Sequence, residues 1–366
     1  MNLVFLGASV FGVRCLETCL VTPEVQVTGV MTAPQRFAIS YRPSGVTNVL
    51  HADLAGLAQS HAIPMWTLER AMTEPGLFEA VAQCKPDAFI VAGWYHMIPK
   101  RWRDLAPAYG LHASLLPDYS GGAPLVWAMI NGETKTGITL FQMDGGVDSG
   151  PIVGQREEPI LSTDTIATLY ARIEKRGLEL LKEALPQLAS GTLALRHQDE
   201  KMRRIMPQRA PEDGLIDWTK DATTLDWFIR AQTRPYPGAF TTLKGKPLHI
   251  WQAQPDPTTN TRQETGRVLR SKDDLYTVAC GLGVITLKEI TYERSTYTHA
   301  QLARLFGGGG GGWAYRRVAR RTPRLASAAT TASAGAMGSQ SALRRLHRRS
   351  LAEGTRTGLW RGQQHL

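Results

Sequence analysis

The sequence predicts an α/β protein: a parallel-sheet domain, then a small antiparallel β-barrel, then a disordered tail. Three observations carry this. Short apolar runs alternate with segments of helical spacing through the first 190 residues, the pattern of strands joined by right-handed crossovers on a parallel sheet. Five short alternating strands, separated by turn residues, follow a polar stretch and suggest a small barrel. Six consecutive glycines at 307–312 then open a segment of Arg, Ala, Ser, Thr and Gly with little hydrophobic periodicity. The expected organisation is 1–190, a linker at 191–210, a barrel at 211–306 and a tail at 307–366.

The elements follow in order. "NLVFLG" is a short apolar strand, "SVFGVRCLETCL" has helical spacing, and "VQVTGVM" is a second strand. "DLAGLAQSHA" and "GLFEAVAQC" read as helices, with "DAFIVAG" as a buried strand after them. The stretch 163–188 is a long amphipathic helix that opens on Thr or Asp as its cap. "ASGTLALRHQDEKMRRIMPQRAPEDG" is polar and reads as a surface linker, with the domain boundary near residue 205. "TTLDWFIRAQT" is a short helix. "GAFTTL", "PLHIWQAQ", "GRVLRS", "LYTVACG" and "GVITLKEI" are the barrel strands. The turn holding Gly7 and Gly12 lacks the dinucleotide-binding spacing, and no acidic residue ends the second strand. It reads as a tight turn that lets a helix N-terminus approach a ligand.

Charge is distributed unevenly. The chain carries +10, which invites a nucleic-acid reading, but eleven Arg and a single acid, Glu353, lie in the last sixty residues. The first 306 residues therefore hold 31 basic and 31 acidic side chains, a net charge of zero. The tail's composition buries too little apolar surface to offset chain entropy. It reads either as a basic arm or as sequence never selected to fold. No apolar run reaches the ~18 residues of a membrane helix, and the N-terminus lacks a basic leader and a small-residue cleavage site, so the expected location is cytoplasmic. Cys15, Cys19, Cys84 and Cys280 have no zinc-type spacing and read as buried free thiols.

The chemistry gathers in "GLHASLLPDYSGGAPLVWAMINGETKTGITLFQMDGGVDSG", residues 110–150. His112 stands at the end of a probable strand, where ligands sit on parallel sheets. Asp148 follows in a Gly-rich turn, with Gly145 and Gly146 expected to bend the carboxylate back toward the imidazole. A carboxylate beside a His holds one tautomer and raises its basicity, the arrangement of general acid–base pairs. Upstream, "IVAGWYHMIP" places Trp94 and Tyr95 either around a ligand or in the core, and His96 reads as a loop polar residue.

The combination "LHASLLP…GGAPLVWAMINGE…TGITLFQMDGGVDSGPI" resembles the signature of the formyltransferases that use 10-formyltetrahydrofolate. These include methionyl-tRNA formyltransferase and the enzymes that formylate nucleotide-linked amino sugars. "RAPEDGLIDWTK" and "IRAQTRPYPGAF" are similar to the start of that family's C-terminal domain, and the resemblance spans residues 1–306. It implies a Rossmann-like catalytic domain, a small OB-like barrel, 10-formyltetrahydrofolate as donor, a primary amine as acceptor and no metal. The family's Asn, His and Asp fall on Gly110, His112 and Asp148. A protonated His112 would steady the tetrahedral oxyanion, with Asp148 helping to take the amine's proton. The folate pocket is expected to involve Trp94, Tyr95, Met97 and Ile98 and, after His112, Ser114, Leu115, Leu116 and Pro117.

Two positions depart from the family pattern. Gly110 has no amide to offer an oxyanion, a loss worth about 3–4 kcal/mol where measured elsewhere. Tyr109 is no substitute, because its side chain points to the opposite strand face. Ser120 stands where relatives commonly carry Arg. The neutral body, the weakly basic stretch 32–53 and the wording of "APEDGLIDW" and "PYPGAF" favour a nucleotide-linked amino sugar or other small amine as acceptor. Methionyl-tRNA is the alternative. A folate- or nucleotide-binding module that has lost catalysis, and a hydrolase in which water replaces the amine, are the rival classes.

Overall fold

The computed structural model describes residues 1–307, apart from 40–41, 75, 260 and 271–274 and the side chains of 39, 42 and 43. The expectations for the tail from residue 308 lie outside the described residues. The first sheet has seven strands in the order Ile152–Pro159, Lys135–Gln142, Ala108–His112, Ala88–Ala92, Asn2–Gly7, Gln26–Thr32, Met65–Thr67. All run the same way except Lys135–Gln142, which is antiparallel to both its neighbours. The sequence pattern suggested parallel strands throughout. The exception has a simple cause: the connection at 143–151 is shorter than a crossover requires, so the strands it joins must pair as antiparallel neighbours.

The central strands are apolar without alternation because both faces are covered. Leu3, Val4, Phe5 and Leu6 are fully buried, and all of Ala88–Ala92 is buried. Helix Val10–Leu20 and the long helix Ile166–Ala189 pack on one face of this sheet. Ser9 caps the first, its hydroxyl accepting the Gly12 N–H at 3.1 Å. Gly7 and Gly12 serve a different purpose from the ligand approach expected of them. A Cβ on either would meet the Ala92 carbonyl, at 2.7 and 3.0 Å, so their bareness lets the neighbouring strand end come close. The stretch 32–53 contains a small antiparallel hairpin, Arg36–Ile39 with Arg42–Thr47.

The long helix opens on Thr165, and its first turns are tied down by a buried network. Arg172 donates to Glu158 at 2.7 Å and to Asp164 at 2.6 Å, and Arg176 donates to Glu158 at 2.9 Å. Burial acts to raise both carboxyls. For Glu158 the hydrogen bonds from Arg176 and Arg172 outweigh it. For Asp164 those from Arg172, the Leu161 N–H and Thr168 do so, and both groups end below the ordinary carboxylate range. Removing one partner of a fully buried pair costs about 3–5 kcal/mol. Arg172→Met is expected to cost about 2–3 kcal/mol, since Arg176 still serves Glu158. The stability these depressed carboxyls contribute is present above the unfolded-state value of about 4 and is lost as pH falls through the folded one. Urea melts between pH 3 and 7 should therefore show a smaller difference between wild type and variant toward pH 3.

The second sheet is antiparallel, in the order Ala239–Leu243, Lys246–Asp256, Val284–Tyr292, Tyr276–Ala279, Val268–Arg270, with Ser295–Thr298 also paired to Val284–Tyr292. This last strand was not anticipated. The sheet curls into a half-barrel whose core, including Leu248, Ile250 and Ile290, is closed by Leu225 and Ile229 of helix Ala222–Arg230. Alternation of apolar residues marks strands but does not say whether the outer two meet.

The stretch between the sheets is more than a surface linker. Arg196 bridges to Ile152, and Ile205–Met206 forms a short parallel pair with Ser120–Gly121, in the loop that follows His112. No helix among the described residues is long and apolar enough to cross a membrane.

Candidate active site

His112 closes strand Ala108–His112 at its carboxyl end, and its ring is held from two sides. Nε2 lies 2.8 Å from the Tyr119 carbonyl oxygen. A carbonyl only accepts, so Nε2 carries the hydrogen and Nδ1 is left to exchange protons. Nδ1 faces Asp148 Oδ2 at 3.6 Å, closer than bulk solvent separation and longer than a hydrogen bond. Such contacts tighten when substrate enters. Both side chains are largely buried, with 11% and 19% exposed.

Asp148 is placed by its own backbone and by distant residues. It adopts φ +51°, a left-handed conformation that only short polar side chains tolerate readily. Gly145 and Gly146, expected to make this turn, do not adopt positive φ. The Asp144 carboxylate organises it instead, accepting the Gly146 N–H at 2.9 Å and the Ser149 hydroxyl at 2.6 Å. The Gly121 N–H donates to Asp148 Oδ2 at 2.7 Å. Gln198 donates to the carbonyls of Asp148 and Gly150, at 2.8 and 2.7 Å, and Arg203 to that of Val147 at 3.2 Å.

Both residues border a cavity of about 220 Å3. Trp94, Tyr95, Gly110, His112 and Asp148, chosen from the sequence, line it together. Tyr95 is fixed there by its hydroxyl, 3.1 Å from Asn48 Oδ1, and by the Phe37 ring at 5.3 Å. His96 is drawn into the same aromatic group, 5.2 Å from Phe37 and 5.5 Å from Trp94, rather than standing free on a loop. Met97 and Ile98 do not line the cavity: Met97 is 59% exposed and Ile98 is buried beneath the sheet.

Ser114, Leu115, Leu116 and Pro117 are also absent from the lining. They build the turn behind His112. The Ser114 hydroxyl donates to the Asp118 carbonyl at 2.7 Å, and Thr139 Oγ1 accepts the Leu116 N–H at 3.1 Å. Leu115 packs across Gly137. This turn presents the Tyr119 carbonyl to the imidazole. Ser120 is fully buried, with its hydroxyl on the Pro117 carbonyl at 3.0 Å, so it offers nothing to a ligand.

Gly110 lies on the strand face it shares with His112, under the Met143 side chain. A Cβ at Gly110 would stand 3.0 Å from Met143 Cε and 3.3 Å from Phe141 Cε1. Sequence reasoning missed Tyr119 and Gln198, which hold His112 and the Asp148 loop, and Met143, Tyr170 and Glu174, which line the cavity. No local pattern marks them, because they arrive from several elements far apart along the chain. Among the described residues no cluster of His, Cys, Asp and Glu is arranged to hold a metal ion.

A largely parallel sheet with an imidazole–carboxylate pair over a small cavity at its carboxyl rim fits an α/β enzyme with acid–base chemistry at that rim. Residues 2–185 match the family model described as formyl transferase, and residues 209–305 match the formyl transferase C-terminal domain. The chain belongs to the formyl transferase family, and it is a formyltransferase. It is 34% identical to a methionyl-tRNA formyltransferase of Geotalea uraniireducens over 304 residues, 82% of this chain and 93% of that protein. It is 35% identical to the methionyl-tRNA formyltransferase of Citrifermentans bemidjiense over 297 residues, 80% of this chain and 89% of that one. In fold it is similar to an N-formyltransferase from Helicobacter canadensis solved with folinic acid and dTDP-3-aminofucose. That match has a TM-score of 0.57 and 18% identity, covering 78% of this chain and 98% of that one. HypX of Aquifex aeolicus, solved with tetrahydrofolic acid, gives a TM-score of 0.55 at 19% identity, covering 84% of this chain and 47% of that one.

Proposed function

We propose that this enzyme formylates the amine of methionyl-tRNA. The donor is 10-formyltetrahydrofolate. The observation that carries the acceptor is the extent of likeness to relatives bearing the methionyl-tRNA formyltransferase name, which match at 34–35% identity over 80–82% of this chain and 89–93% of their own length. This replaces the amino-sugar acceptor expected from charge. A net charge of zero is a sum over the whole surface, and phosphate contacts depend on where the cations stand.

In the reaction, the amine nitrogen attacks the formyl carbon and the carbonyl electrons move to oxygen. The bond from that carbon to N10 then breaks, leaving the formamide. Of the two protons the acceptor sheds, one reaches N10 and one is released. His112 relays at Nδ1, its Nε2–H being engaged by the Tyr119 carbonyl, and Asp148 stabilises the imidazolium. The cavity is below the usual ~300–1,000 Å3 of small-molecule sites, so it takes the reacting end of the donor and leaves the tail outside. The intact pairing of His112 with Asp148 supports catalysis over a binding-only module.

The test is direct. Full-length protein with 10-formyltetrahydrofolate is offered charged initiator tRNA, a nucleotide-linked amino sugar, or no acceptor. Formylmethionyl-tRNA, resolved by acid gel and mass spectrometry, is the expected product. Formylated sugar without formylated tRNA would refute this acceptor, and formate released equally without acceptor would indicate a hydrolase.

A further inference from the structure

The long helix Ile166–Ala189 contributes an acidic residue to the cavity wall. Glu174 is 8% exposed and lines the same space as His112 and Asp148. Among the described residues its charged partner is Arg14 of helix Val10–Leu20, whose Nη1 donates to Oε2 at 2.7 Å. No other hydrogen bond reaches this carboxylate among the described residues. Its near neighbours, Ile173, Tyr170 and Cys15, are respectively apolar and two buried groups that burial keeps protonated. Burial also holds the Glu174 carboxyl above its ordinary range, with Arg14 opposing.

An ionised carboxylate offers about four acceptor positions, and leaving a buried one underused is costly. Glu174 borders the same cavity as His112 and Asp148, so a group held by that pair shares its space with Glu174. The formyl acceptor is a primary amine, which in water near pH 7 is largely an ammonium ion. It must lose a proton before its nitrogen can attack.

We propose that Glu174, oriented by Arg14, is the acceptor-side carboxylate of this site: it binds the incoming amine as ammonium and takes its first proton. The N–H bond breaks toward a Glu174 oxygen, and the freed electron pair forms the bond to the formyl carbon. The second N–H proton leaves through His112 Nδ1 to N10 as the bond from the formyl carbon to N10 breaks. Glu174 then returns its proton to solvent. This rests on the formyl-transfer reading but not on which amine is used. It also gives the two carboxylates separate tasks, Asp148 serving the imidazole and Glu174 the nucleophile.

The experiment uses L-methioninamide as a small ammonium probe, so that it does not depend on turnover of tRNA. Calorimetry with the full chain at pH 7 should show that Glu174→Gln weakens binding at least tenfold, while affinity for tetrahydrofolate and the melting temperature hold. In kinetics, the variant should raise KM for the acceptor and not for the donor. The deficit should shrink from pH 7 to pH 9 as the amine deprotonates, over a range where the other facing groups are Arg14, Cys15, Tyr170, Tyr95, His112 and Asp148. Glu174→Asp should recover part of the affinity. Equal binding by wild type and Glu174→Gln, no binding by wild type, or a rise confined to the donor KM would overturn the proposal. Failure to formylate charged tRNA, with the methioninamide difference intact, would count against the acceptor assignment alone.

Discussion

His112→Gln is expected to lower kcat/KM for formyl transfer by about 10²–10⁴-fold, the range of a positioned general acid–base group. Gln is the informative replacement. Its amide can still donate to the Tyr119 carbonyl, which His112 Nε2 now meets at 2.8 Å, so the turn behind the strand is not left with an orphaned acceptor. Alanine would leave that carbonyl bare, at about 1–3 kcal/mol, and would mix a folding defect with a chemical one. Gln has no second nitrogen to exchange protons beside Asp148. The predicted signature is a fall in kcat with donor affinity preserved, read by steady-state kinetics and by tetrahydrofolate titration. Asp148→Asn should move kcat in the same direction by less, since the Gly121 N–H can still donate to the amide oxygen. Full activity in His112→Gln would remove the imidazole from the chemistry.

The second large effect is a gain. Gly110→Asn paired with Met143→Ala is expected to raise kcat by up to about 10²–10³-fold, the worth of one oxyanion donor. Gly110 and His112 are two residues apart on one strand and project from the same face. An amide at 110 therefore points into the cavity that His112 lines. Met143 stands in its way: even a Cβ would be 3.0 Å from the thioether methyl. Gly110→Asn alone should thus gain little in rate and lose about 1–3 kcal/mol of stability from overpacking. Truncating Met143 makes the room. A four-member cycle of wild type, both single variants and the double separates the terms, and the rate gain should appear only in the double. A double variant no faster than Met143→Ala would mean that another donor already serves the oxyanion.

Several features were readable before any coordinates. The strands of the first sheet are runs such as Leu3–Leu6 and Ala88–Ala92, buried on both faces and hence apolar without alternation. The long helix was visible in its apolar stripe and its Thr cap. His112 and Asp148 were recognisable chiefly through the formyltransferase signature, with the strand end and the Gly-rich turn in support. Other assignments followed the family pattern to residues that do not line the cavity. Met97, Ile98 and the stretch 114–117 border the site in sequence, yet they face solvent, the core or the back of the His112 turn. Charge summed over the chain says little about the acceptor, because a sum carries no positions.

The sequence by itself determined the class of fold, the family and the His112 and Asp148 candidates, since these depend on local periodicity and on motifs within a few dozen residues. The tertiary structure alone decided which nitrogen of His112 is free, that Met143 covers Gly110, that Gln198 from the connecting segment pins the Asp148 loop, and that Glu174 enters the cavity from a helix. Each of these joins residues far apart along the chain. Such contacts are set by how sheet and helices pack together, and packing leaves no periodic signature in either segment it brings together.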